Sequence, residues 1–165
     1  MRQRRLHGEL SIADSIKQNT KERFTTPQGK VVYGGGGIMP DVFVPMDTTR
    51  VINTYFERVW RRNLIFRYII QFTEQHRKEI NRITTFDALK RFFAPYDFAA
   101  LFAEYAAKND VKGSPEEIEE CAELLEIYLK ANIGRNTPLD DEGFYPFIAA
   151  IDNTLQEAIK VLSKE

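Results

Sequence analysis

Cysteine is nearly absent from this sequence: Cys121 stands alone, so no intrachain disulfide can form and cysteine usage leaves the redox compartment open. Histidine is as scarce. His7 and His76 lie 69 positions apart, a spacing that makes no zinc-ligand set with each other or with Cys121, and no metal centre is expected. A surplus of either charge is missing as well. Lys and Arg total 23 against 24 Asp and Glu, a net charge of -1, and without a basic tract to grip phosphates no nucleic-acid partner is expected. Arg2, Arg4 and Arg5 form one N-terminal basic cluster, but His7-Gly8-Glu9 follows where a secretory signal needs an apolar run, so no signal peptide is expected in this chain. Long hydrophobic runs are lacking too. The longest, Leu64 to Phe72, is about half of the ~20 residues that a spanning helix needs and is interrupted by Arg67, so no membrane span is expected.

Motifs for covalent catalysis are equally wanting. There is no G-x-S-x-G elbow, no S-x-x-K pair and no Cys with a His at a motif distance. Cys121 falls on the inner face of a predicted helix and reads as a small hydrophobe. Neither catalytic nor cofactor-binding residues are expected, and no cofactor. Gly34-Gly35-Gly36-Gly37 suggests a phosphate cradle, yet Ile38-Met39-Pro40-Asp41 follows instead of Lys, Ser/Thr and a helix. The glycine run is better read as a close backbone crossing, with anion binding the weakest alternative.

What the chain does contain is aromatic bulk. Its 165 residues include 12 Phe, 7 Tyr and 1 Trp, with 43% apolar and 28% charged residues, the composition of one ordinary folded domain or two very small ones. A chain of this length typically buries about 70% of the surface it exposes unfolded, enough for a core without staples.

The pattern changes near residue 48. Six of the nine glycines and three of the seven prolines precede it, so residues 1–48 cannot form a helix bundle. Arg23-Phe24-Thr25-Thr26 and Lys30-Val31-Val32-Tyr33 flank Pro27-Gln28-Gly29, which predicts a hairpin. Asp41-Val42-Phe43-Val44 predicts a third strand, and Ile12 with Ile16 predicts a short helix over Ser11 to Lys21. From there to the end, residues 49–165 read as a helical domain. Stripes from Val51 through Tyr55, Val59, Ile69 and Phe72 to Ile80 predict one long helix over about 48 to 80. Its apolar half, Leu64 to Phe72, would make it the central helix of the bundle. A second helix is predicted over about 85 to 93, and a third from an Asp97 cap to Lys108. Ser114-Pro115-Glu116-Glu117 is a capping box with Pro at the first helical position, starting a fourth helix that should stop at Gly134 in a left-handed cap. A last helix, about 146 to 163, should begin at Pro146 and turn Phe147, Ile148, Ile151, Leu155, Ile159 and Leu162 inward. The fold class expected is mainly α with a small β portion: an N-terminal hairpin followed by a bundle of about five helices.

Three charged or titratable features invite functional readings and have plainer ones. His76 lies on the helical stripe between Phe72 and Ile80 and reads as a core-edge histidine. Asp140-Asp141-Glu142 could attract a cation, but acids before a helix already favour its dipole. Glu116, Glu117, Glu119, Glu120, Glu123 and Glu126 give the fourth helix an acidic surface, either solvated or docked on Arg58, Arg61, Arg62 and Arg67 or on a basic partner.

Phe24-Thr25-Thr26-Pro27-Gln28-Gly29-Lys30, followed by Val32-Tyr33, the four glycines, and Ile38-Met39-Pro40-Asp41-Val42-Phe43-Val44, resembles the carboxy-terminal processing peptidases, the S41 serine peptidase family. Gly37-Ile38-Met39-Pro40-Asp41 matches that family's turn into a strand, and the helical tail resembles the C-terminal extension of Bacteroidetes-type members. Asp140-Glu142-Gly143-Phe144-Tyr145-Pro146 and Asp152-Asn153-Thr154-Leu155-Gln156 carry that second part of the likeness. The resemblance implies a parent enzyme that cleaves exported proteins with a Ser-Lys dyad, in the periplasm or cell envelope. It also implies that the dyad and the PDZ module lie upstream, so this chain would be the noncatalytic C-terminal fragment, inactive alone, and Met1 an artificial start. Its partners would be the upstream protease core of the same polypeptide and that enzyme's protein substrates. An unpaired hairpin is marginal in water, so a homodimer through the exposed strand edge is a further expectation. The competing reading is an independent helical interaction module that uses the acidic helix or a groove lined by Phe86, Phe92, Phe93 and Phe98.

Overall fold

A computed structural model describes residues 22–29, 31–34, 42–45 and 52–163. The expectations for His7, the basic cluster at Arg2 to Arg5, the helix over Ser11 to Lys21 and the turn from Gly35 to Asp41 lie outside the described residues. The chain divides into two compact units, Met1–Asp47 and Thr48–Glu165. Its architecture is mainly α with a small β portion.

In the first unit, β1 (Arg23–Thr25) and β2 (Val31–Tyr33) pair antiparallel with Arg23 opposite Tyr33, Phe24 opposite Val32 and Thr25 opposite Val31. Pro27 presets the turn, and the Gly29 N–H donates to the Thr26 carbonyl at 2.9 Å. Gly29 has φ +83°, a conformation that glycine adopts without a Cβ penalty. The third expected strand is not one: among the described residues, Val42 to Pro45 join no ladder. Of the glycine run, Gly34 is described. A Cβ there would lie 3.1 Å from the Phe24 ring, so side chains rather than crossing backbone crowd it.

The second unit holds eight helices among the described residues: α1 (Thr54–Arg61), α2 (Leu64–Gln75), α3 (Arg77–Ile80), α4 (Phe86–Phe93), α5 (Phe98–Lys108), α6 (Pro115–Arg135), α7 (Asp141–Ala149) and α8 (Asn153–Leu162). The expected long helix over 48 to 80 is therefore broken twice. Asn63 adopts the left-handed region, φ 55° and ψ 28°, which asparagine tolerates better than most residues, and separates α1 from α2. At His76, φ -108° and ψ 17° interrupt α2 before the single turn of α3.

α6 meets α1, α2, α5 and α7, and α2, which holds the expected central segment of Leu64 to Phe72, itself meets α1, α3, α5 and α6. The two helices share the centre of the bundle, while Phe66 and Ile70 on α2 remain exposed. α6 starts at the expected capping box, with the Glu117 N–H on Ser114 Oγ at 3.2 Å and the Ser114 N–H on Glu117 Oε2 at 3.0 Å. Asp97 likewise caps α5 through the Ala100 N–H at 3.0 Å.

The C-terminal third differs most from the sequence pattern. Gly134 does not end α6 in a left-handed cap; it lies inside the helix, which runs to Arg135. Its role is contact: a Cβ on Gly134 would run into the Gly143 backbone of α7, and one on Gly143 into Gly134. Pro146 sits within α7 rather than in its first turn. The carbonyl it leaves without an N–H partner belongs to exposed Glu142, where water can bond it, and the helix ends three residues later. The chain then restarts α8 at an Asp152 cap. That break turns the last stripe outward, so Leu155, Ile159 and Leu162, expected inside, are 40%, 49% and 68% exposed.

Candidate functional site: an aromatic groove between α1 and α6

α1 carries two apolar faces side by side. Tyr55 and Val59 are fully buried, whereas Phe56 and Trp60, one position further round, roof the seam against α6. Phe56 and Trp60 stack with centroids 6.0 Å apart, and the Tyr128 ring of α6 meets Trp60 edge-on at 6.1 Å. With Ile52 and Leu124 these rings line a concavity of about 320 Å³. Trp60 is 56% and Ile52 62% exposed, so the groove is open and apolar.

Its position is fixed at both ends of α1. Asn53 caps α1 through the Phe56 N–H at 3.0 Å, and its Nδ2 donates to the Glu117 carbonyl at 2.6 Å and to Glu120 Oε2 at 3.2 Å. On the opposite side of the helix, Arg58 donates to the Lys112 carbonyl at 3.1 Å and pairs with Glu117 at 3.2 Å. Arg62 donates to the Asp110 carbonyl at 3.2 Å and Arg67 to Asn109 Oδ1 at 3.4 Å. Of the expected docking between acidic helix and arginine cluster, the Arg58–Glu117 pair is formed. Arg62 and Arg67 hold the α5–α6 connection, Arg61 pairs with Glu57 on its own helix, and Glu126 pairs with Lys130. Glu119, Glu120 and Glu123 have no cationic partner among the described residues.

Beneath the groove, the Tyr55 hydroxyl is buried and has no hydrogen-bond partner among the described residues. Burial, with the nearby Cys121 thiol adding to it, pushes the phenol up to about 12. Gly113 makes room for the ring, since a Cβ there would lie 2.8 Å from Tyr55 Cδ2. Tyr55→Phe removes an unpaired buried hydroxyl and keeps the packing, so folding stability is expected to stay level or rise by about 1 kcal/mol. Urea unfolding of the two chains measures this, and a loss of stability would reveal a partner for the hydroxyl.

The fold places the other singled-out residues in structural settings. Phe93 and Phe98 are buried and Phe86 and Phe92 half-buried, so the expected groove of four phenylalanines is instead part of the core. His76 lies at the edge of that cluster, 4.4 Å from the Phe72 centroid and 5.5 Å from that of Tyr96. Asp141 of the acidic triplet pairs with Arg135 at 2.5 Å, and that guanidinium lies 3.9 Å over the Phe144 ring. Burial pushes the Cys121 thiol up to about 11, and its Sγ donates to the Glu117 carbonyl at 3.3 Å. Among the described residues no three His, Cys, Asp or Glu side chains converge as metal ligands, and no helix is long and apolar enough to cross a membrane.

Residues 55–137 match a family of unknown function (DUF8443). The chain belongs to that family. The DUF8443 span opens at Tyr55 and closes at Thr137, so it takes in α1 from its second residue through α6 and, with them, Phe56, Trp60, Leu124 and Tyr128 of the groove. α7, α8 and the hairpin lie outside it. No curated protein and no solved structure matches the chain. Phe56 and Trp60 are absent from any sequence-level site because their stripe is indistinguishable from a core stripe. The available signal is the doubling of apolar positions at 55 with 56 and 59 with 60, more than one helix face can bury.

Proposed function

We propose that this chain is the noncatalytic C-terminal region of an S41 carboxy-terminal processing serine peptidase, with the hairpin completing a sheet of the catalytic core. The observation that carries the reading is the hairpin itself. Among the described residues its sheet has two strands only, and the cross-strand pair Phe24 and Val32 is 60% and 40% exposed. Two strands of three residues are marginal at best when alone in water. The Gly37-Ile38-Met39-Pro40-Asp41 motif adjoining it supports the same assignment. On this reading the Ser-Lys dyad lies upstream, the parent cleaves exported proteins in the periplasm or envelope, and no residue here reacts. The test is the genomic sequence upstream of the Met1 codon. An open frame carrying a glycine-serine nucleophile turn and a lysine motif is expected; an in-frame stop directly before Met1 overturns the proposal.

A second reading has its own support. A half-exposed tryptophan in an open aromatic groove is the kind of residue that anchors protein partners, which favours a helical protein-interaction module, within a peptidase or without one.

A further inference from the structure

The groove between α1 and α6 is apolar on its floor and acidic along its edges. Trp60, Phe56 and Tyr128 supply the floor. Glu120 lies one helical turn before Leu124 on α6, with Glu123 beside it, and both are exposed. Glu57 stands on the α1 edge, where Arg61 pairs with it at 3.3 Å. The other cations near α1 and α6 among the described residues have partners elsewhere. Arg58 and Arg62 bond to the Lys112 and Asp110 carbonyls on the other side of α1, and Lys130 pairs with Glu126. Among the described residues, Glu57 and its partner Arg61 line the concavity itself, and Glu120 and Glu123 add two carboxylates without a cationic partner on the exposed α6 flank beside Leu124.

We propose that this groove docks a cationic amphipathic helix from a protein partner: aliphatic side chains one turn apart against Trp60 and Tyr128, and Lys or Arg residues against Glu120 and Glu123. Two helices side by side leave a seam into which a third lays its apolar stripe, the arrangement by which helices are recognised in grooves. The charges decide which helices bind. An acidic helix of the same apolar pattern would meet Glu120 and Glu123 with like charge, and complementary potentials set partner choice and association rate. The inference rests on the interaction-module reading and names its class of partner; it does not depend on the peptidase assignment.

Trp60 is the only tryptophan in the chain, so its fluorescence reports on the groove without a label. The probes are two short amphipathic peptides, one of leucine and lysine, the other of leucine and glutamate, titrated into the full chain. The leucine-lysine peptide is expected to shift Trp60 emission to shorter wavelength saturably, with weaker binding as salt rises, and the leucine-glutamate peptide to leave it unmoved. Glu123→Lys, an exposed change, with Glu120→Lys added at the loss of the Asn53 bond, should weaken the leucine-lysine peptide about 10-fold and admit the acidic one. Trp60→Ala, followed through a fluorophore on the peptide, should weaken binding about 30-fold, with helical circular dichroism confirming that each variant folds. Equal binding of both peptides, insensitive to the charge reversal, overturns the cationic class while leaving the docking reading standing. If neither peptide moves Trp60, both are overturned.

Discussion

Replacing Gly134 with alanine is expected to destabilise the helical unit by about 3 kcal/mol, at the upper end of what overpacking usually costs. The added methyl has nowhere to go. It meets the Gly143 carbonyl, which is backbone inside α7 and cannot swing away as a side-chain tip would. α6 and α7 must separate along their length, loosening Arg135 from Asp141 and from the Phe144 ring. Gly143→Ala presses the same contact from the other side, and its expected loss is similar. Because both changes force one gap, the double variant should lose less than the two single losses together. Urea unfolding followed by circular dichroism measures all three. Single variants within about 0.5 kcal/mol of the parent, the range of ordinary surface changes, would show that α6 and α7 do not touch through these glycines.

A steep loss of stability above pH 9 is the second large effect. Burial raises Tyr68 to about 12, and raises Tyr55 and Cys121 to about 12 and about 11, from ordinary values of 10.0 and 9.0. In the unfolded chain these protons leave near the ordinary values; in the folded chain they are retained. Between those limits the unfolded state binds fewer protons, so stability falls as pH rises. At neutral pH all three groups are protonated in both states and contribute nothing to the slope. All three shifts have the same sign, so each withdraws stability over the same alkaline range. Equilibrium unfolding across an alkaline pH series is the measurement, with tyrosine ionisation read by absorbance. Tyr55→Phe and Tyr68→Phe should each flatten the slope. A chain equally stable at about pH 8 and about pH 11.5 would contradict the burial of these groups.

Local signals in the sequence translated well into structure. Ser114-Pro115-Glu116-Glu117 specifies its capping box through neighbouring residues alone, and Pro27 with Gly29 specifies the turn between β1 and β2. Features set by distant packing did not. Gly134 has the composition of a helix stop, but the same missing Cβ serves a helix crossing, and only the position of Gly143 in space distinguishes the two. The stripe of Leu155, Ile159 and Leu162 has a core period, yet the break before Asp152 carries it away from the core. Asn63 and His76 break the long helix with residues whose helix propensity is only slightly poor, too weak a signal to outweigh an unbroken apolar pattern. The groove was illegible for a related reason: Trp60 and Tyr128 meet only because α1 and α6 lie side by side.

The order of helices along the chain has a kinetic meaning. α6 and α7 follow each other closely, so their contact closes a short loop and can form early. α1 reaches α6 across a sequence separation of 64 residues, from Asn53 to Glu117, and contacts between such distant residues tend to come late in folding. α1 is also a two-turn helix at one end of its unit, anchored by Tyr55, Phe56, Val59 and a few polar bonds. The wall that carries Trp60 therefore joins α6 only through contacts distant in sequence, and its docking is expected to follow that of α6 on α7.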